Sequence, residues 1–555
     1  MNHAFTTAQL DILFDAVPTL KLGALGHDNA WRHISLALEA VHADTEHQPV
    51  FGRFVTELGL WALQDTPLDE NLLWLACNHP PLEALLHKLP VETWLRLASR
   101  PPAGNPGHDG WTETFDADDL PAALRTARTM EEHMLFRLGA LFYRALALGQ
   151  FDLARETVAA LPPDLPGREP LTARLLAECS LFSLPPEEAL AAVRQVEHPA
   201  FSLWRDRQTA YLMRTLGDMD GAVSLYTSLW MRLGFHPNLS LHLYDLLFPQ
   251  PETALPDGES APAIALYSWN KAEELRQTLE SLRASETGGC PVFVLDNGST
   301  DHTTAVLDAM QQQWPGHLFR RIALPVNIGA PAARNWLLSL PEIKARPWTA
   351  FLDDDLVLPA DWLRLLWSTA CAHPHAGAVG GTITDHTPPN RIQCADFFLL
   401  PMDFGQRSFS DLAEQTYIHA NAAGLCEPDL ARYIRPCLHV SGCCHLVNMR
   451  SVEACGGFDV RFTPSQFDDL ERDMRAFSKD FPCVYNGNVR IGHMQHSSLR
   501  QAATREQRGR VLGNKIKLEF IHQGKEVDRL RESARLMARD DLKQKTDSLH
   551  RLLGQ

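Results

Sequence analysis

The chain has 555 residues, of which 45% are hydrophobic and 21% are charged, and its formal net charge at pH 7 is −17. This composition is typical of a folded protein, and the length predicts about two to four domains. The negative net charge excludes a general binder of nucleic acid or of anionic membranes. A negatively charged ligand would therefore need a local site built from a metal ion or arginine.

Signals for export or membrane insertion are not visible in the sequence. The stretch Met1–Thr6 lacks a basic segment followed by an apolar one, so we expect no signal peptide. No run approaches the roughly 18 apolar residues that a transmembrane helix requires. The 11 cysteines are irregularly spread and form no CxxC pair with zinc spacing. We therefore expect reduced thiols in a cytoplasmic protein, and a peripheral position at the inner membrane face stays open.

Residues 1–99 are predicted to form an N-terminal helical region. Leu10, Leu13 and Val17 recur at the spacing of one helix face. A cluster of prolines and glycines at residues 100–107 then predicts a loop.

Residues 111–250 return to a helical pattern that contains an internal repeat. Ala154, Ala189 and Ala222 follow similar turns and are 35 and 33 residues apart. A small residue at this period lets paired helices pack closely, and the segment resembles tetratricopeptide repeats. An irregular helical bundle is the alternative. In either case we expect a helical platform that would offer a surface to a protein partner.

A proline-rich linker at residues 249–260 precedes a change of pattern. Short apolar strands at 263–267 and 291–295 alternate with amphipathic helices at 271–283 and 303–314. This alternation predicts an α/β fold with a parallel sheet and right-handed crossovers. Ligands of such sheets bind at the carboxyl ends of the strands, so we expect the functional site there.

Polar side chains follow the predicted strands. Asp296 ends the second strand and begins an Asp-Asn-Gly-Ser-Thr-Asp segment, which a tight turn and a helix cap would explain equally well. Arg334 follows a run of small residues and is a candidate donor to phosphate or base. A third strand leads into Asp353, Asp354 and Asp355, which alone are consistent with either an acidic turn or a divalent cation site.

Five motifs in this order resemble those of the family-two glycosyltransferases. The resemblance covers about residues 261–500. It implies an α/β GT-A catalytic domain, with a Rossmann-like and mostly parallel sheet, that transfers a sugar from a nucleotide-sugar donor with inversion. The motifs are Ser268-Trp269-Asn270, Asp296-Asn297-Gly298-Ser299-Thr300-Asp301, Asn327-x-Gly329 with Ala333-Arg334-Asn335, Phe351-Leu352-Asp353-Asp354-Asp355, and the acidic segment from Asp468 to Arg475.

The resemblance also implies roles for individual residues. Asp469 would be the general base that deprotonates the acceptor hydroxyl. Asp355, with His493 or His496, would bind Mn²⁺ or Mg²⁺ as a Lewis acid for the departing nucleoside diphosphate. For each histidine, a loop-anchoring hydrogen bond is the alternative. The implied nucleotide-sugar ligands are Ser268, Asn270, Asp296, Arg334, Asp353 and Asp354.

Strand alternation predicts that Asp354 faces away from Asp353 and Asp355. The acidic segment departs from the family pattern, with Glu471 in place of Asp and Arg472 in place of an apolar residue. The motifs therefore specify the type of reaction more closely than the identity of the donor.

The donor would be a UDP- or GDP-sugar, and the acceptor an unidentified glycan or protein, as in the glycosylation of bacterial surface glycans or proteins. The aromatic-rich stretch 385–429 is interpreted as the acceptor side, and residues 501–555 as a charged, solvated helical tail. The alternative function is an inactive glycosyltransferase-like scaffold that binds partners through its helical repeats.

Overall fold

The computed structural model describes residues 4–99, 111–116, 118–129, 133–316, 318–401, 416–494 and 505–554. The chain divides into two compact units. The helical unit comprises Met1–Leu247, Pro428–Leu430 and Leu542–Gln555, and the sheet unit comprises Phe248–Glu427 and Ala431–Asp541. The domain boundaries expected from the sequence remain predictions.

Amphipathic helices form the helical unit, and local signals start several of them. The Thr6 hydroxyl accepts from the Gln9 N–H while the Gln9 side chain accepts from the Thr6 N–H, which satisfies two backbone donors of the first helix. Its first 15 helices, counted over the described residues, are α1 (Thr7–Ala16), α2 (His27–Ala43), α3 (Gln48–Asp65), α4 (Glu70–Asn78), α5 (Pro80–Glu83), α6 (Val91–Ala98), α7 (Trp111–Asp116), α8 (Leu120–Ala127), α9 (Met134–Ala147), α10 (Phe151–Ala159), α11 (Arg168–Ser183), α12 (Pro186–Arg194), α13 (Ser202–Thr215), α14 (Met219–Arg232) and α15 (Pro237–Leu247).

The repeat pattern corresponds to three helix pairs, α9–α10, α11–α12 and α13–α14, in which successive helices pack on one another. Ala154, Ala189 and Ala222 lie in the second helix of each pair and are fully buried, so the small residue allows the close approach. The assignment of these pairs to tetratricopeptide repeats remains a prediction. No helix in the described ranges is long and apolar enough to cross a membrane.

A short segment outside the main run of helices completes the helical unit. Asp429 is 1% exposed, and its carboxylate accepts a hydrogen bond from the Tyr226 hydroxyl. Arg214 and His242 pair with the same carboxylate. A buried carboxylate requires such partners, because an unpaired charge away from water is costly.

Alternating strands and helices form the sheet unit. The strands are β1 (Ala263–Ser268), β2 (Val292–Asp296), β3 (Phe319–Ala323), β4 (Trp348–Leu352), β5 (Leu356–Val357), β6 (Ala378–Asp385), β7 (Ile392–Cys394), β8 (Phe397–Pro401), β9 (Thr416–Ala420), β10 (Ile434–Cys437), β11 (Cys444–Asn448) and β12 (Cys483–His493). The helices are α16 (Ala272–Ala284), α17 (Thr303–Gln311), α18 (Ala330–Ser339), α19 (Pro341–Lys344), α20 (Trp362–Ala372), α21 (Met449–Cys455), α22 (Asp468–Phe477) and α23 (Arg505–Ile521), and α24 (Lys525–Leu553) begins in this unit.

The main sheet has ten strands over the described residues. Strands β3, β2, β1 and β4 lie side by side and run parallel. Strand β11 joins β4 antiparallel, β6 and β12 run parallel to each other beyond it, and β10 closes the path. Strands β5 and β7 pair with β12 and β6, and β8 and β9 form a separate hairpin. The predicted α/β fold class is confirmed.

Side chains that alternate along the strands fill two cores, one on each face of the sheet. Ile264 and Leu266 of β1 pack with apolar residues of α16, α17 and α20. Ala263 and Ala265, which point the opposite way, pack with α18, α19 and Met449 of α21. With both faces covered by helices, the edge at the strand ends is left for polar side chains.

The charged C-terminal segment is less solvated than its composition suggests. In α24, Val527, Leu530, Ala534 and Ala538 recur every three or four residues and are all at least 96% buried. The prediction of a solvated helix is therefore wrong for this face, because the charged residues obscured an apolar stripe at helical spacing.

Phe351 tests the core on the α18 side of the sheet. Its ring is fully buried and meets the ring of Phe458 edge-on, with centroids 5.5 Å apart. Phe351→Ala should lower the free energy of unfolding by about 3–5 kcal/mol in urea denaturation, because it leaves a cavity. Phe520→Ala is the control, since Phe520 is 76% exposed, and should cost less than about 0.5 kcal/mol. Equal losses would contradict the assigned core.

Candidate active site

A cavity of about 800 Å³ opens at the carboxyl ends of β1, β2 and β4. The loops after these strands meet there because parallel strands present their carboxyl ends at one edge. The first turn of α22 adds Asp468 and Asp469 to the wall. Another part of the wall is apolar and includes Phe397, Tyr417 and Ile418, which lie within the stretch interpreted as the acceptor side.

The three consecutive acids all line this cavity. Strand β4 ends at Leu352, so strand alternation does not govern the residues that follow it. Lys271 Nζ lies 3.2 Å from Asp354 Oδ1 and 2.9 Å from Asp355 Oδ2, which holds both carboxylates on the same side. The prediction that Asp354 faces away is therefore wrong.

Asp354 and Asp355 have different pKa values, because burial and nearby charges act on them to different extents. Burial raises the pKa of Asp354 to about 6, although Lys271 opposes this effect. Burial would also raise the pKa of Asp355, but the hydrogen bond from His493 and the charge of Lys271 outweigh it and lower that pKa to about 2. Of these two acids, Asp355 therefore stays ionised to the lower pH.

His493 completes a donor set that fits a divalent cation. Its Nδ1 lies 2.8 Å from Gln393 Oε1, which can only accept, so Nδ1 carries a proton. Its Nε2 faces Asp355 Oδ1 at 3.0 Å, so a proton or a cation must lie between them. Two ligands at right angles, each about 2.1 Å from an octahedral ion, are also separated by about 3.0 Å. His496 lies outside the described residues.

Arg334 links two acidic parts of the wall. Its Nη1 donates to Asp468 Oδ2 at 2.7 Å, and Nη2 lies 3.5 Å from Asp353 Oδ1. The Tyr267 hydroxyl donates to the same oxygen of Asp353 at 3.1 Å. Arg334 is only 5% exposed, so its guanidinium is fixed at the cavity by these contacts.

Ser268, Asn270 and Asp296 are not among the described residues that line the cavity. Asp296 accepts from the Ser299 N–H and the Thr304 hydroxyl, as a turn and helix cap require. The turn needs glycine at 298, where φ is +76° and a Cβ would overlap the backbone of Val326. The roles of these three residues as nucleotide ligands stay predictions.

Several cavity residues were not proposed from the sequence. Trp269 is half exposed at the cavity, and Asn297 donates to Asn327 Oδ1 at 3.0 Å across two loops. Both asparagines lie in motifs quoted for the family resemblance, but only Asn297 lies in the segment that a turn explains. Lys271 follows the first motif directly, and the need to neutralise three adjacent acids could have indicated it.

Asp469 sits at the start of α22 with both carboxylate oxygens bound. Oδ2 accepts from the Gly442 N–H and Oδ1 from the Leu470 N–H, each at 2.9 Å. A Cβ at position 442 would overlap this carboxylate, so the site needs glycine there. Burial would raise the pKa of Asp469, but the charges of His439 and Arg334 outweigh it and hold that pKa below its usual value.

The strand order, with the acidic cavity at the carboxyl edge of the sheet, agrees with the α/β GT-A fold expected from the sequence. Residues 264–430 match the family model described as "Glycosyl transferase family 2". The matched residues make up less than a third of the chain and, apart from residues 428–430, lie in the sheet unit.

Similarity to individual proteins is weak. A crystal structure of GalNAc-T7 with UDP, GalNAc and Mn²⁺ aligns at 12% identity and a TM-score of 0.37, over 52% of this chain and 54% of that chain. The mannosyltransferase PcManGT from Pyrobaculum calidifontis, in complex with GDP-Man and Mn²⁺, aligns at 15% identity and a TM-score of 0.34, over 61% of this chain and 87% of that chain. The aligned region thus spans about half of GalNAc-T7. No curated protein sequence matches the chain.

Lys271 tests the charge balance of the cavity. Without a cation, Lys271→Met removes the positive charge that Asp354 and Asp355 share and raises both pKa values, although Asp355 keeps its contact with His493. The variant should lose about 1–3 kcal/mol of unfolding free energy near pH 8, less than for a deeply buried pair because Lys271 is 32% exposed.

The loss should depend on pH. The pKa of Asp354 is already raised in the folded state, from 3.8 to about 6, and removal of Lys271 raises it further. The difference from wild type should therefore grow as pH rises above about 6, where Asp354 ionises in wild type but stays protonated in the variant, and shrink at lower pH, where it is protonated in both. Urea denaturation at pH 5 and pH 8 in chelator measures it, with the exposed Lys344→Met as control. A loss independent of pH would contradict this charge assignment.

Proposed function

We propose that the sheet unit transfers a sugar from a UDP- or GDP-sugar to an acceptor hydroxyl, with inversion at the anomeric carbon. The observation that carries the proposal is the meeting of two distinct sites in one cavity. Asp355 with His493 forms a site fitted to a divalent cation, and Asp469 offers a carboxylate at the start of α22. This is the pair of chemical functions that a nucleotide-sugar transfer requires.

A bound Mn²⁺ or Mg²⁺ would supply positive charge on the acidic side of the cavity, beside Asp355. Lys271 and Arg334 are already paired with aspartates of the wall, so they leave little free charge for a diphosphate. Asp355 and His493 would hold the ion, which neutralises the leaving nucleoside diphosphate. Arg334 and Asp353 would orient the donor, and the Trp269 ring offers an aromatic face beside them.

Asp469 would accept the proton of the acceptor hydroxyl. The hydroxyl oxygen bonds to the anomeric carbon as the carbon–oxygen bond to the diphosphate breaks, and the diphosphate keeps that electron pair. The position of Asp469 in the first turn of α22 stabilises its anion through the helix dipole. The lowered pKa of Asp469, set by His439 and Arg334 against the effect of burial, keeps it ionised near neutral pH.

The remaining assignments are also proposals. The apolar wall of Phe397, Tyr417 and Ile418 would contact the acceptor, a glycan or a protein. The helix pairs of the helical unit, interpreted as tetratricopeptide-like, would bind a protein partner.

Asp469→Asn tests the base. The variant keeps the shape of the carboxylate but cannot accept the proton, so kcat should fall about 10²–10⁴-fold. Donor affinity should stay close to wild type because the donor contacts are elsewhere. The measurement is release of nucleoside diphosphate from a panel of UDP- and GDP-sugars, with Asp480→Asn as an exposed control. Unchanged turnover would rule out Asp469 as the base.

Asp355→Asn tests the cation site by a readout other than turnover. Calorimetric titration with Mn²⁺ alone should show affinity reduced by at least about 10-fold, as should His493→Ala. Asp354→Asn should have a smaller effect, because Asp354 contacts Lys271 but not His493. Full activity in excess chelator, or equal losses for the two aspartates, would contradict the assignment. Absence of binding by any donor with Mn²⁺ would favour a scaffold role.

A further inference from the structure

A histidine outside every recognised motif faces the proposed base. His439 lies between β10 and β11, is 4% exposed and lines the cavity. Its Nε2 is 3.8 Å from Asp469 Oδ2, and its Nδ1 is 2.7 Å from Asp473 Oδ2. Asp469 and Asp473 are four residues apart on α22, so one imidazole can meet both carboxylates on the same helix face.

Asp473 is firmly held and charged. Arg472 Nη1 donates to its Oδ1 at 2.9 Å, and His445 Nε2 lies 3.2 Å from its Oδ2. Asp473, Arg472 and His445 are at least 99% buried. Burial would raise the pKa of Asp473, but the two histidines outweigh it and hold that pKa well below its usual value. The imidazole of His439 is therefore anchored at Nδ1 by a fixed anion.

A metal site is a different explanation for this buried cluster, but the contacts of Asp473 disfavour it. Donor atoms of His445, Asp473 and Cys483 lie within 4.8 Å of one another, and all three residues are buried, as in a metal site. Both oxygens of Asp473 are, however, already hydrogen-bonded, Oδ1 to Arg472 and Oδ2 to His439. A hydrogen-bonded network satisfies this carboxylate without a metal ion.

We propose that His439, anchored by Asp473, is a positioning residue that holds the carboxylate of Asp469 toward the acceptor hydroxyl. This inference rests on the proposed function of Asp469. The carboxylate is 23% exposed at the cavity; the Gly442 and Leu470 N–H groups hold its two oxygens, and the His439 ring adds a third contact that limits its rotation away from the acceptor. Misplacement of a reacting group by about 1 Å can cost about 10²-fold in rate.

The groups that face Asp469 predict how pH dependence should change. They are His439, Arg334 from α18, the adjacent Asp468 and His445 from β11. Those that face His439 are Asp469 and Asp473 of α22 and His445 of β11. Asp469 must be ionised to accept a proton, so kcat falls as pH drops through its pKa. Because His439 lowers that pKa, its removal should move the acidic limb of the kcat profile to higher pH.

Two substitutions separate positioning from a structural role. In His439→Asn the amide can replace Nδ1 and keep the bond to Asp473, but nothing reaches Asp469. In His439→Gln the longer amide can replace Nε2 toward Asp469. We expect kcat to fall about 10²-fold in His439→Asn with donor KM unchanged, and part of the rate to return in His439→Gln. A purely structural role predicts the opposite ranking, since only asparagine preserves the anchor.

The controls address folding and coupling. His419→Gln replaces a buried histidine that bonds Asn421 and does not line the cavity, and should leave kcat unchanged. Asp473→Asn weakens the anchor and should reproduce the loss in His439→Asn. Adding His439→Asn to Asp469→Asn should cost nothing further, because residues that act as one unit are not additive. Thermal unfolding and donor titration verify that each variant is folded.

The outcomes distinguish this inference from the proposed function. If Asp469→Asn abolishes turnover while His439→Asn and Asp473→Asn keep wild-type kcat and pH profile, only the positioning role is overturned. If Asp469→Asn keeps turnover, the proposed base is wrong. Stoichiometric zinc in the purified protein, lost in Cys483→Ser, would overturn the hydrogen-bonded network in favour of a metal site.

Discussion

The sheet unit depends on keeping several carboxylates charged inside one partly buried cavity. Asp353, Asp354 and Asp355 follow β4, and Asp468 and Asp469 begin α22, so like charges converge from two elements. Lys271 and Arg334 each link two of these acids and relieve their repulsion. These ion pairs offset part of the free-energy cost of burying the carboxylates.

Much of the fold could be read from the sequence, because apolar strands and amphipathic helices alternate after a clear linker. Parallel topology alone also predicted that Asp353 and Asp355, which follow a strand, would lie at the carboxyl edge of the sheet. The prediction that Asp354 faces away was wrong because strand β4 ends at Leu352. Beyond the end of a strand, tertiary contacts determine which way each side chain points.

Residues that act through contacts distant in sequence could not be predicted in this way. His439 carries no motif, and its importance arises only because α22 brings Asp469 and Asp473 against it. Asp296 is a different case, since its own turn supplies hydrogen bonds to its carboxylate while its role as a nucleotide ligand stays a prediction. Sequence spacing locates such a residue on an element, but the partners of its side chain follow from packing.

The division of the chain has a practical consequence for engineering. The helical unit includes Pro428–Leu430 and Leu542–Gln555, so neither unit corresponds to one uninterrupted stretch of the gene. A fragment that starts at the linker would still contain Asp429 but not Arg214, Tyr226 or His242, which are the groups that neutralise and hydrogen-bond it. Truncation of this protein at the linker, or exchange of its helical unit, therefore also requires a substitution at position 429.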